Sequence, residues 1–246
     1  MADRGDKPPR DDLVYGLQPV REALRGRRRV REVVCTREAA EAMPWIESSG
    51  VRMSLAVTDR VTALAERPDH QGVVALCDPY PYADAADLLA RPDALVVALD
   101  GVTDPRNLGA IARSCECLGA HGLVIPRHGS AGVTAVVAKA SAGAIEHLPI
   151  AQVTNLAELL RRNKRADLWS YAAAEDADAT PDALDLTGGV VLVLGAEGSG
   201  IRPLVRQRCD AGVRIPMHGQ IGSLNVAVAA SLLLYEADRQ RRVARP

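Results

Sequence analysis

Five short apolar runs dominate the sequence from residue 94 onward: "ALVVALD", "GLVIP", "LWSYAAA", "GVVLVLG" and "GVRIPM". Helical patterns separate them, at 107–119, 132–142, 154–164, 201–208 and 223–241. A strand with one wet face alternates apolar and polar residues, whereas a strand buried on both faces reads as a continuous apolar run. Strands of the second kind alternating with helices predict an α/β fold, with a parallel sheet covered on both sides. Apolar residues make up 48% of the 246, but aromatics only 3%, with no Phe. The core must therefore be assembled from Ala, Val and Leu.

The first third is built differently. Residues 1–12 read as a disordered tail. From 13 to 77 shorter elements alternate: a helix after Pro19, the strand "VREVVC", a helix after Thr36, the β-like "VRMSLAV", a helix at the cap candidate Thr58, and the strand "GVVALC". That describes a small α/β domain. Residues 78–93 carry prolines at 79, 81 and 92 and suit a linker holding one short helix. A larger α/β domain then occupies 94–246.

Charge and cysteine content exclude several classes. The net charge of -1 argues against a protein that coats nucleic acid indiscriminately, although a local basic patch is compatible with it. The five cysteines, at 35, 77, 115, 117 and 209, are scattered and match no metal-ligand spacing, so no metal site is expected. They read as free thiols of a reducing compartment. The sequence has neither an apolar signal core nor a run of 18 apolar residues. A cytoplasmic protein without membrane contact is the expectation.

Three strand-to-helix junctions hold the residues with chemical potential, each where a parallel sheet places its ligands, beyond the strand carboxyl ends. In "LDGVTDPRNLGAIARS" (99–114), Asn107 is a candidate cap, and Arg113 lies six residues further along the same helix. Six residues amount to about 600° of rotation, so the two side chains are not obvious neighbours. In "VLVLGAEGSGIRP" (191–203) the glycines follow G-x-x-G-x-G, not the dinucleotide fingerprint. Glu197 would repel a pyrophosphate there, but it suits an arginine or a hydroxyl donor. In "IPMHGQIGSLNVAVAASLLLYE" (215–236), Ser223 is a candidate N-cap and Asn225 falls in the first turn. The helix that follows is apolar on nearly every side, so it should be central or lie in a dimer interface.

Together, "DPRNLGAIARS" (104–114), "LGAEGSG" (194–200) and "IPMHGQIGSLNVA" (215–227) resemble, in order and separation, the three signature motifs of the SpoU (TrmH-type) RNA 2′-O-ribose methyltransferases of the SPOUT class. "VYGLQPVREAL", "HQGVVAL", "AKASAGAIEHLPI" and "VTNLAELL" are similar to the subgroup that methylates a guanosine of large-subunit ribosomal RNA. The resemblance covers residues 13–241. It implies a SPOUT-type parallel sheet with a C-terminal trefoil knot, preceded by a small α/β RNA-binding domain similar to certain ribosomal proteins. It implies S-adenosyl-L-methionine as cofactor, held by Leu194, Gly195, Ile215, Met217 and Leu224, and a homodimer formed through the C-terminal helix. It also implies catalytic roles for Asn107, Arg113, Glu197, Ser223 and Asn225.

Arginine is too basic to act as a simple proton acceptor. Arg113 is therefore expected to bind the target nucleotide's phosphate and position the hydroxyl. Asn107 and Asn225 would orient the sugar, Ser223 would brace the site, and Glu197 would fix the Arg113 fork. His218 is an alternative base in the same loop. In the small domain, "REALRGRRRVR" (21–31) sets six arginines against one glutamate. Arg25, Arg27, Arg28, Arg29 and Arg31 are the expected RNA-binding residues, with Tyr15 the one aromatic near them.

The expected partner is RNA, either 23S rRNA in its peptidyl-transferase region or a pre-50S particle. Alternatives are a tRNA or antibiotic-resistance methyltransferase on the same scaffold, and a non-catalytic ribosome-assembly protein.

Overall fold

The computed structural model describes residues 12–244. All but the last residue of the expected N-terminal tail lies outside the described residues. The chain forms two compact units, one running to Pro81 and including Val133–His147, the other comprising Tyr82–Gly132 and Leu148 to the C-terminus.

The first unit is a four-stranded mixed sheet with strand order β1-β4-β2-β3. The strands are β1 (Leu13–Tyr15), β2 (Val30–Cys35), β3 (Arg52–Leu55) and β4 (Val73–Cys77). β2 and β3 run parallel, and β4 pairs antiparallel with β1 and β2. Between them lie α1 (Leu17–Arg25), α2 (Arg37–Ala42), α3 (Trp45–Ser48) and α4 (Thr58–Ala65). Thr36 caps α2 as its position suggests, its hydroxyl accepting from Ala39 N at 3.2 Å. For α4 the cap is one residue earlier than read from the sequence: Val57 occupies the N-cap and Thr58 is already helical.

Residues 133–147 complete this unit although they come from the middle of the later sequence. Within them α7 (Ala135–Ala140), capped by Thr134, places Ala135 in one apolar cluster with Leu13, Tyr15, Val34, Val61 and Val74. The Lys139 ammonium donates to Gln71 Oε1 at 2.8 Å and Asp69 O at 3.0 Å, and lies 5.7 Å from the Tyr15 ring centroid. Tyr80 OH donates to Ile145 O at 2.9 Å. Glu146 and Arg28 form an ion pair at 2.6 Å, their side chains 0% and 2% exposed.

The second unit is a six-stranded, wholly parallel sheet, as the uninterrupted apolar runs require. Its strands are β5 (Leu95–Asp100), β6 (Gly122–Pro126), β7 (Ile150–Val153), β8 (Leu168–Ala173), β9 (Gly189–Gly195) and β10 (Ala211–Val213), in the order β10-β8-β9-β5-β6-β7. The flanking helices are α5 (Ala85–Leu89), α6 (Pro105–Cys117), α8 (Leu156–Arg162), α9 (Pro203–Arg208) and α10 (Val226–Ala244). Val96, Ala98, Val124, Ala151, Val191 and Val193 point to one face and pack with Leu88, Leu156, Leu160 and Val205 of α5, α8 and α9. Their neighbours Leu95, Val97, Leu99, Leu192 and Leu194 are equally buried on the other face, where α10 packs on β9 and α6. Near its end α10 is stapled by Arg241, whose guanidinium donates to the carbonyls of Asp93, Ala94, Leu186 and Gly188.

The helix opening at residues 223–225 starts later than expected, at Val226. Nor is it buried all round, since Val228, Leu232 and Tyr235 form an exposed stripe. The α6 cap is Asp104, whose carboxylate accepts from Arg106 N, and not Asn107. Among the described residues no helix is long and apolar enough to cross a membrane.

Candidate active site

β5 and β9 lie side by side at the centre of the larger sheet. From β5 the chain builds outward through β6 and β7, then returns to the other side as β8 and β9. The strand order reverses between β5 and β9, and a crevice at their carboxyl ends is the natural ligand position. Their last residues, Asp100 and Gly195, are register partners.

Three side chains from three separate segments meet there. Asn225 Nδ2 donates to Glu197 Oε1 at 2.6 Å and to Asn107 Oδ1 at 3.0 Å, and Asn107 Nδ2 donates to the same Glu197 oxygen at 3.0 Å. The amide orientations are fixed by one another. Asn225 Oδ1 accepts from Ala227 N at 2.9 Å, capping α10, so its nitrogen must face the loop. Asn107 then presents its oxygen to Asn225 and its nitrogen to the carboxylate. Asn225, rather than Ser223, is therefore the N-cap, and one side chain both starts a helix and joins the cluster.

Beside the cluster lies a cavity of about 560 Å³, within the usual range for small-molecule sites. Leu194, Gly195, Ile215, Met217 and Leu224, the five residues expected to hold the cofactor, all line it, as do Glu197 and Ser223. Its walls combine apolar side chains with the glycine-rich backbone of 195–201. That combination fits the adenine ring and aliphatic parts of S-adenosylmethionine, which need apolar cover and main-chain hydrogen bonds more than charge. Gly195 is obligatory for steric reasons: a Cβ there would lie 2.1 Å from the carbonyl carbon of Gly200, where the loop doubles back.

Other expected residues are not part of the hydrogen-bonded cluster. Arg113 is exposed on α6 and lies against Cys117 one turn further on. Among the described residues no ion pair joins it to Glu197, whose Oε1 accepts from both asparagines. An acid–arginine pair is present, but between residues that carry no part of the expected site. Asp100 is buried at the end of β5 and binds Arg202, the residue that follows the glycine loop. An acid as the last residue of a central strand was the available signal. His218 is exposed and lies outside the cavity lining.

In the arginine run, Arg25, Arg27, Arg29 and Arg31 are exposed, although Arg31 is engaged with Asp78 at 3.4 Å and with the Cys77 carbonyl. Arg28 does not belong with them as an RNA contact. Its guanidinium is buried against Glu146, where no phosphate can reach it. Tyr15 is buried too and offers no stacking surface.

Residues 94–235 match the SpoU rRNA Methylase family, and residues 13–83 match the RNA 2′-O ribose methyltransferase substrate-binding domain. The chain belongs to the SpoU rRNA methylase family. As a SpoU enzyme it is an RNA methyltransferase that uses S-adenosylmethionine. It is 39% identical over 240 residues to the 23S rRNA (guanosine-2′-O-)-methyltransferase RlmB of Escherichia coli (strain K12), covering 94% of this chain and 99% of that one. It is 42% identical over 252 residues to an uncharacterized tRNA/rRNA methyltransferase of Mycobacterium sp. (strain KMS), covering 96% and 79%. Among solved structures it superposes on the SpoU methyltransferase AviRb from Streptomyces viridochromogenes in complex with AdoMet. The TM-score is 0.82 and the identity 30%, over 95% of this chain and 91% of that one. The SpoU fold is thus present along almost the whole of this chain.

Proposed function

We propose that this SpoU enzyme methylates the ribose 2′-hydroxyl of a guanosine in 23S rRNA. The observation that carries this reading is the 39% identity to RlmB, which runs through the substrate-binding unit as well as the catalytic one. The bound cofactor supplies an electrophilic sulfonium methyl, so the protein's task is alignment of the hydroxyl and removal of its proton. Asn107 and Asn225 orient the sugar, and Glu197 holds the two amides in the orientation fixed by the α10 cap. Ser223 braces the cavity mouth, while Arg113, exposed on α6, takes the phosphate of the target nucleotide.

The apolar stripe Val228, Leu232 and Tyr235 on α10 supports a homodimer through that helix, because a patch of this kind on a monomer would stay exposed to water. The trefoil knot expected of SPOUT enzymes belongs to the same reading, with the 195–201 and 214–225 loops as its crossings. RNA enters along the exposed Arg25, Arg27, Arg29 and Arg31 of the smaller unit, and a cytoplasmic location follows from a ribosomal substrate.

Mapping ribose methylation across rRNA and tRNA from a deletion strain against its parent tests the target. Loss at one 23S guanosine is expected, and an unchanged 23S map rejects it. For the division of labour, Arg113→Ala should lower kcat roughly 100-fold with cofactor affinity within about twofold. Matching losses in both would reject the role given to Arg113.

A further inference from the structure

We infer that Asp100 and Arg202 are positioning residues for the methyl-transfer site, acting as a clasp that sets the loop carrying Glu197. Asp100 ends β5 with its side chain wholly buried, yet its carboxylate meets three donors of a single residue. Arg202 N donates to Oδ2 at 2.8 Å, Nε donates to Oδ1 at 2.8 Å, and the terminal guanidinium nitrogen lies 2.6 Å from Oδ1. The bonds from Asp100 raise the pKa of Arg202 above its ordinary value. The main-chain carbonyl of Asp100 also accepts from Ala196 N at 3.1 Å. One residue thus grips both ends of the segment 196–202, the near end by its backbone and the far end by its side chain.

Between those two grips the loop is short and closed on itself. Ala196 and Gly200 exchange both main-chain hydrogen bonds, at 2.9 and 3.2 Å, and Gly195 is crossed by the returning chain. Such a closed loop has little internal freedom, so its placement depends on its two attachments. It forms one wall of the cofactor cavity and holds Glu197 against Asn107 and Asn225. Among the described residues no hydrogen bond or ion pair joins Asp100 or Arg202 to that cluster. A charge-assisted, two-pronged hold of this kind fixes direction as well as distance.

The Arg202 side chain is 63% exposed, so its replacement admits water to Asp100 instead of stranding the carboxylate in apolar surroundings. The inference rests on the 195–201 loop being the cofactor wall, and the experiment separates the two ideas. Amide hydrogen exchange of the full-length protein without cofactor reads the clasp alone. Arg202→Gln should speed exchange across 196–201, and unchanged exchange there overturns the clasp whatever the cofactor does.

Calorimetry with S-adenosylmethionine and steady-state kinetics then read the function. Arg202→Gln should weaken cofactor binding about tenfold and lower kcat about tenfold or more, since small misplacements near reacting groups are costly. The melting temperature should fall by no more than about 4 °C. Arg202→Lys, which keeps the charge and one donor, should recover part of both losses. Cofactor affinity and kcat within twofold of the parent overturn the inference. So does a Lys variant no better than Gln, or a loss that vanishes in assays well below the melting temperature. Asp100→Asn should act in the same direction, but Arg202, being exposed, carries the test should that variant fold poorly.

Discussion

Each unit is tied together by an arginine–carboxylate pair that spans more than a hundred residues of sequence, and the two pairs are built in opposite ways. Arg28 and Glu146 are both removed from water, with the Arg28 guanidinium 5.7 Å from the Tyr80 ring centroid. Asp100 is equally buried, but Arg202 keeps most of its side chain in solvent. The first pair has no substitute for a lost partner, because removing either charge leaves the other desolvated. In the second, water can take the arginine's place, so what is lost is direction more than solvation. One pair therefore maintains a fold, and the other maintains a geometry.

That contrast breaks most readily at Glu146. Glu146→Ala should cost about 3–5 kcal/mol of stability by urea unfolding, the usual consequence of stranding a buried charge. It should exceed the loss in Arg202→Gln, and equal losses would erase the distinction between the two pairs. The double change Arg28→Met with Glu146→Leu sharpens it. Replacing both charges with apolar groups of similar volume should restore stability to within about 1 kcal/mol of the parent. A double variant as unstable as Glu146→Ala alone would mean that something other than stranded charge drives the loss. The smallest effect is expected next door, at exposed Arg29. Arg29→Gln should leave stability within about 0.5 kcal/mol of the parent. It should also reduce the salt dependence of RNA binding by about one phosphate contact.

The arginine run shows where sequence reading stops. Arg28 and Arg29 are adjacent and chemically identical, and only a glutamate 118 positions away decides that one is buried and the other exposed. The larger sheet was legible because runs of five to seven apolar residues, such as Gly122–Pro126 and Gly189–Gly195, admit little else. β1 and β7, with three and four residues, are too short to carry a period and escaped notice. The same holds for α3 and its single turn. Helix starts were misplaced at Asn107 and Ser223, where several capping side chains lie within a few residues and local propensity ranks them equally. Tertiary bonds made the choice, giving the α6 cap to Asp104 and the α10 cap to Asn225. The motif residues Asn107, Glu197 and Asn225 were found, but their mutual bonding depends on loop paths that no spacing encodes. Asp100 looked like a strand terminus and nothing more.

The piece 133–147 has a consequence for how such enzymes diversify. The chain passes between its units three times, after Pro81, after Gly132 and after His147. A gene spliced at the first passage alone would deliver a substrate-reading half without Ala135 in its interior and without the counter-charge of Arg28. Recombination that swaps RNA specificity between relatives must therefore move two stretches of DNA together, the second lodged inside the catalytic reading frame.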